Sequence, residues 1–151
     1  MDLTNELQRS RLPYELVEHR RTESASAEAR AVGVPPEQVA KVVVLVAGDG
    51  FVRAIVPASR QVDLRKVRRL LETPVRLATE AELAVTYPMY ELGAVPPFGV
   101  PTGDRVLVEE VLARRDSVVF DAGTHSESLW LKTADLLTLS GGEVVDIAAG
   151  A

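Results

Sequence analysis

Apolar positions in this chain change their spacing several times, and each change marks an element. Leu3 and Leu7, with Leu12 further on, fall on one side of a helix over 3–12 that Pro13 stops. Residues 14–18, Tyr-Glu-Leu-Val-Glu, alternate and predict a strand. A polar connection runs from His19 to Glu23. Ser24 is placed to cap an alanine-rich helix over 25–32, and Gly33 ends it. Residues 34–38 read as a turn, or as the first turn of a short helix with a proline near its start. The run 41–47, Lys-Val-Val-Val-Leu-Val-Ala, has no polar alternation and predicts a strand buried on both faces. Gly48-Asp49-Gly50 reverses it into an antiparallel strand over 51–56, closed by Pro57.

Asp63 is the N-cap of a helix over 64–72. Its spacing turns Leu64, Val67, Leu70 and Leu71 inward and Arg65, Lys66, Arg68 and Arg69 outward. A short strand over 75–78 follows. Thr79 and Glu82 have capping-box spacing and open a helix to residue 85 or 86. Residues 87–103 are irregular; so long a loop is functional or disordered, and its apolar content argues against disorder. Strands are expected over 105–109, 117–122, 127–131 and 143–147. A short helical segment covers 110–115, a turn covers 123–126, and Thr133 caps a helix through Leu139 that Gly141-Gly142 ends. About seven strands interleaved with four or five short helices, hairpins among them, predict a mixed α/β sheet in a single domain over 1–151.

Composition narrows the chemistry. At 151 residues the chain can bury a sizeable core without staples. It has no cysteine, which excludes disulfides and thiolate metal sites and fits a reducing cytoplasm. Two histidines and no clustered acidic motif leave little for a metal. No apolar run reaches the length of a membrane span, and residues 1–10 carry acids where a signal peptide has a hydrophobic block. A net charge of −5 argues against global attraction to nucleic acid. Yet residues 60–76 hold six basic and two acidic side chains, which is either a basic binding face or a solvated helix face. Phosphate-cradling glycine motifs and the nucleophile elbow are absent.

Three features could carry chemistry. Gly93-Ala94-Val95-Pro96-Pro97-Phe98-Gly99 is apolar yet cannot be regular, because two prolines remove two donors and fix two φ angles. It is a stiff, extended loop with an aromatic at its tip. It either offers its backbone to a ligand or plugs the end of a core. Lys41 stands at the mouth of the most hydrophobic strand, in a chain with 14 arginines and three lysines. It either meets a ligand or lays its stem on apolar surface with its head in water. His125 lies among small hydroxyl residues between two strands, where it either hydrogen-bonds a substrate or closes a turn. His19 reads as a surface histidine.

These pieces occur in a particular order. Val39-Ala40-Lys41 opens the valine strand; Ile55-Val56-Pro57-Ala58-Ser59 and Val62-Asp63 follow. Leu77-Ala78-Thr79-Glu80-Ala81-Glu82, the 93–99 loop and Asp121-Ala122-Gly123-Thr124-His125 complete the series. Over 14–147 this resembles the YbaK/aminoacyl-tRNA synthetase-associated domain family, which includes free-standing deacylases and the insertion domain of bacterial prolyl-tRNA synthetase.

The resemblance implies a mixed, partly barrel-like sheet flanked by short helices. It implies trans hydrolysis of the ester joining a wrong amino acid to the 3′ end of a tRNA, with the proline tRNA one carrier; because editing pockets sieve by size, a small residue such as alanine, serine or cysteine is the expected one. Lys41, Gly93 and His125 would be catalytic. Ser24, Ser59, Ala94, Pro96, Pro97, Phe98, Gly99, Gly123 and Thr124 would line the substrate. Arg65, Lys66, Arg68 and Arg69 would meet tRNA. No cofactor or metal is implied; the partners are the acceptor end and an aminoacyl-tRNA synthetase. Val42 departs from the family pattern, where threonine often follows the lysine. The rival expectation is a tRNA- or nucleotide-binding module that keeps the pocket without turnover.

Overall fold

The computed structural model describes residues 3–99 and 104–150. In chain order its elements are α1 (Leu3–Arg9), β1 (Tyr14–Glu18), α2 (Ala25–Val32), a 3-10 turn (Pro36–Gln38), β2 (Ala40–Ala47) and β3 (Gly50–Pro57). They continue with α3 (Leu64–Leu71), β4 (Val75–Leu77), α4 (Glu80–Thr86), β5 (Arg105–Glu109) and α5 (Glu110–Ala113). The last are β6 (Ser117–Asp121), β7 (Glu127–Lys132), α6 (Thr133–Ser140) and β8 (Glu143–Val145).

Among the described residues the strands form two sheets. One is antiparallel, in the order β1-β7-β6; the other is mixed, in the order β4-β2-β3-β5-β8. The β2–β3 hairpin and the β2–β4 pair are antiparallel, while β3–β5 and β5–β8 are parallel. One lone bridge, Val39 to Val119, ties the start of β2 to the middle of β6. The mixed α/β fold is the expected one, but the strands are divided between two sheets joined at that corner.

Alternation along β3 separates two cores. Ile55 joins Val106, Val108, Val118, Phe120, Leu129 and Leu131 between the sheets, closed off by Leu3 and Leu7 of α1. Val52, Ala54 and Val56 face the other way and pack with Val67 of α3. Period-two side-chain placement accounts for this split.

Local signals account for most element ends. Ser24 Oγ accepts the Ala27 N–H at 3.1 Å, and Asp63 Oδ1 accepts the Arg65 N–H at 2.9 Å. The Thr79–Glu82 capping box is complete. Several expectations are corrected. Helix α1 ends at Arg9 because Arg11 turns into the left-handed region (φ 57°) and Leu12 N–H reaches back to the Leu7 carbonyl. Thr133 is the first residue of α6, not its cap. Leu70 is 43 % exposed, so the inward stripe of α3 is narrower than its spacing suggests. Strand β2 is half-buried along 41–43, because a cleft opens against it. Strand β8 stops at Val145.

The 93–99 loop divides in two. Ala94 to Phe98 are buried, and Phe98 meets Phe120 edge-on with ring centroids 5.6 Å apart. Such a pair adds about 0.5–1.5 kcal/mol beyond the area it buries. Phe98 is therefore a core side chain and not the exposed tip the sequence suggested; in a loop that cannot form regular structure, its ring is the largest apolar surface available to fill the sheet gap. Gly93 alone of that stretch is exposed.

A buried arginine holds the plug down. Arg53, 4 % exposed on β3, donates from Nη1 to the Pro96 carbonyl at 2.9 Å, and its Nε lies 3.9 Å from Asp104. Tyr87 donates its hydroxyl to the same carboxylate. Arg53→Ala strips a buried carboxylate of its cationic neighbour and is expected to cost about 3 kcal/mol in a denaturant titration. A cost under about 1 kcal/mol would contradict the clamp.

Candidate active site

A cleft of about 530 Å³ opens where the two sheets meet. Its walls come from Ser24 and Glu28 of the α2 segment, Lys41 to Val44 of β2, and Leu77 with Ala78 after β4. Leu92, Gly93 and Val95 supply the loop side, and Asp121 and His125 close the far end. Of the expected catalytic residues, Lys41, Gly93 and His125 thus share one cavity, and Ser24 joins them.

Sheet pairing leaves the cleft a bare strand edge. Strand β3 covers β2 along its whole length, but β4 pairs only with Leu45, Val46 and Ala47. Alternate residues of a strand turn their peptide groups to opposite sides. Val39 O accepts from Ala58 N–H on the β3 side, and Val44 O accepts from Ala78 N–H on the other. By that alternation the N–H and C=O of Val42 face the gap beyond the end of β4.

Lys41 reaches over the cleft to donate to the Arg60 carbonyl at 2.9 Å. Among the described residues it has no carboxylate partner. Burial lowers its pKa. A half-buried ammonium held only by a neutral carbonyl keeps most of its charge available to an anion.

His125 stitches the loops together. It is 8 % exposed. Its Nε2 lies 2.6 Å from the Leu92 carbonyl, an acceptor only, so Nε2 carries the proton and donates. Its Nδ1 faces Asp121 Oδ2 at 3.4 Å. Its backbone N–H donates to Glu91 Oε2 at 3.2 Å, and its carbonyl accepts from Thr22 N–H at 3.0 Å. The imidazole thereby fixes the peptide that leads into Gly93.

Among the cleft residues that carry no role in the sequence reading are two acids with raised pKa, Glu28 and Asp121. Burial, then the charge of Glu28, pushes the Asp121 carboxyl up to about 9. Burial also raises Glu28, while Ser128 opposes that by donating to Oε2 at 2.5 Å. A signal for Glu28 existed: it lies four residues after Ser24, on the same face, and is the one acid in a helix made mostly of alanine and serine. Asp121 ends an apolar strand, which marks it only once the fold is known.

Other expected positions lie elsewhere. Ala94, Pro96, Pro97 and Phe98 are buried in the plug, and Gly123 is buried with the Tyr90 ring 3.2 Å from where a Cβ would stand. Ser59 is exposed in the turn after β3, Gly99 packs over Leu3, and Thr124 lies 3.5 Å from the Ser126 hydroxyl. None of these lines the cleft. On α3, Lys66 is committed to Asp146 and the Ala148 carbonyl, both at 2.8 Å, and Arg68 Nε donates to the Val75 carbonyl at 3.3 Å. Arg65 and Arg69 remain exposed. Among the described residues no group of three histidine or acidic side chains is arranged to hold a metal ion, and no helix is long and apolar enough to cross a membrane.

The mixed α/β fold is that of a known class. The aminoacyl-tRNA editing domain matches residues 19–139, and the chain belongs to that family. A solved candidate trans-editing enzyme for prolyl-tRNA synthetase is 31 % identical to it, with a TM-score of 0.82 over 91 % of this chain and 87 % of the other. A structure from work on grafting linear epitopes onto scaffold proteins is 26 % identical, with a TM-score of 0.84 over 91 % and 88 %. A hypothetical protein at 21 % identity shares the fold, with a TM-score of 0.89 over 97 % and 99 %. No curated protein matches the sequence significantly.

Proposed function

We propose that this chain is a trans-acting aminoacyl-tRNA deacylase that removes a small wrong amino acid such as alanine, serine or cysteine. The proline tRNA is the carrier to test first. The observation that carries this reading is the meeting of Lys41, Gly93 and the exposed Val42 peptide in one cleft. An aminoacyl ester is already activated, so its hydrolysis needs positioning more than a protein nucleophile. Lys41 supplies a cation for a phosphate of the terminal nucleotide or for the ester itself. The backbone donors at Gly93 and Val42 are fixed in advance for the oxyanion that develops as water attacks. The valine wall and Leu83 limit the side chain admitted, which is how an editing pocket sieves by size. A panel of tRNAs carrying small and large amino acids tests the size argument; release of large groups alone would defeat it.

The acceptor stem is held, in this reading, by the exposed arginines of α3, and an aminoacyl-tRNA synthetase is the partner that supplies the mischarged product. Affinity for tRNA is expected to fall as salt rises, because each phosphate contact releases counterions. Arg65→Ala and Arg69→Ala should each reduce the slope of log affinity against log salt by about one. A slope unchanged in both variants removes α3 from the tRNA surface.

A further inference from the structure

Behind the cleft a line of polar side chains crosses the small sheet. His19, just after β1, is half-buried; its Nδ1 lies 2.7 Å from the Arg20 carbonyl and its Nε2 2.8 Å from Ser128 Oγ. Ser128 on β7 is fully buried and contacts Glu28 Oε2 at 2.5 Å. Glu28 is 2 % exposed and within hydrogen-bond reach of Asp121, and both carboxyls line the cleft. Asp121 Oδ1 is buried, and among the described residues no hydrogen-bond partner reaches it. A proton shared between the two carboxyls satisfies that orphan and relieves the repulsion that two adjacent carboxylates would feel.

The hydrogen-bond rules fix the rest of the line. The Arg20 carbonyl only accepts, so His19 Nδ1 donates to it. The single Ser128 proton then points one of two ways. Directed at Glu28, it leaves His19 Nε2 donating and the imidazole positively charged. Directed at His19, it leaves Glu28 protonated and the imidazole neutral. One concerted shift along Ser128 interconverts the two and moves a proton between a half-exposed imidazole and the cleft.

We propose that Asp121 and Glu28 are the acid–base pair of the cleft, and that Ser128 and His19 form the wire by which the pair exchanges protons with solvent. This rests on the deacylase reading above. In the reaction, water attacks the ester carbon as its proton passes to the ionised carboxylate of the pair. When the bond from that carbon to the ribose oxygen breaks, the pair returns the proton to the departing oxygen. The released amino-acid carboxyl gives its own proton to solvent, and the pair again holds one. Groups facing the pair from the surrounding elements are His19 after β1, Ser128 on β7, His125 in the β6–β7 turn, Glu91 in the long loop with its partner Arg21, and Lys41 on β2.

The test is kcat and KM against pH for the full chain on its best aminoacyl-tRNA substrate, for the parent, Asp121→Asn, Glu28→Gln and Ser128→Ala. Expected is a fall in kcat of about 10²–10⁴-fold for Asp121→Asn and Glu28→Gln with KM within a few-fold. The alkaline limb of the parent profile should vanish in Asp121→Asn. Ser128→Ala should lose rate and regain it with added small buffers such as imidazole. A kcat within threefold of the parent in both carboxyl variants overturns the inference while leaving the deacylase reading intact.

Melting temperature supplies a readout free of activity. The folded pKa of Asp121, about 9, lies above its unfolded value of about 4. Its stabilising contribution is therefore full below the unfolded value and is lost as pH rises towards 9. The parent should lose melting temperature relative to Asp121→Asn between pH 6 and pH 9. An equal difference at the two pH values overturns the shared proton. A parent inactive on every ester, with the melting difference present, refutes the deacylase reading and the catalytic step with it, and leaves the proton-sharing pair standing.

Discussion

Lys41→Ala is expected to lower kcat/KM for aminoacyl-tRNA hydrolysis by about 10²–10³-fold, the effect of removing one preorganised stabiliser of developing charge. The structural cost should be small. In the resting protein the ammonium donates one hydrogen bond, 2.9 Å to the Arg60 carbonyl, and it is only half-buried. Losing a hydrogen bond of that kind costs about 0.5–1.5 kcal/mol. Activity and stability should therefore separate. Lys41→Arg keeps the charge but replaces a compact ammonium with a longer, planar fork whose donors fall at different positions. It should recover less than a tenth of the parent rate. Steady-state kinetics beside thermal melting checks both variants. A Lys41→Ala protein that hydrolyses within threefold of the parent would remove the lysine from the mechanism.

Gly93→Ala should cost about 10²-fold in rate and 1–2 kcal/mol in stability. Gly93 has φ +83°, a conformation that an L-residue adopts at about that penalty. An added Cβ would stand 3.4 Å from His125 Cε1, an ordinary contact, so the backbone and not a clash carries the effect. Relief of the strain rotates the peptide between Leu92 and Gly93. That peptide holds the carbonyl which His125 Nε2 grips at 2.6 Å. Misplacing a positioned group by about 1 Å is enough for a loss of that size. Gly33→Ala is the control. Its φ is +84° with nothing within 4 Å of a built Cβ, and it ends α2 away from the cleft. It should lose similar stability with no loss of rate. Equal losses of rate in both variants would show that the Gly93 effect is general destabilisation.

The sequence exposed what is decided locally. Caps at Ser24, Asp63 and Thr79, the Gly48–Gly50 hairpin and the valine run of β2 each bring their own physical signal within a few residues. The order of motifs placed Lys41, Gly93 and His125 in one site before any contact was visible. Long-range pairing was not legible. The antiparallel match of Tyr14 with Leu131 and the parallel match of Ala54 with Leu107 join distant segments whose patterns fit several partners. An apolar Pro-Pro loop reads alike whether Phe98 points to solvent or into the core; the Phe120 ring across the sheet gap decides it. Lys66 looked like its neighbours on α3 until Asp146 and the Ala148 carbonyl came alongside. Glu28 and Asp121 were hidden for the same reason, since an acid on a helix and an acid at a strand end are ordinary until the fold presses them together.

The most direct test of the account is release of free amino acid from alanyl-, seryl- and cysteinyl-tRNA on the proline acceptor, by the parent and by Lys41→Ala. The account predicts rapid release of at least one small amino acid by the parent and loss of that release in the variant. No release of any amino acid by the parent, with tRNA still bound, would contradict it and make the cleft a recognition site without turnover.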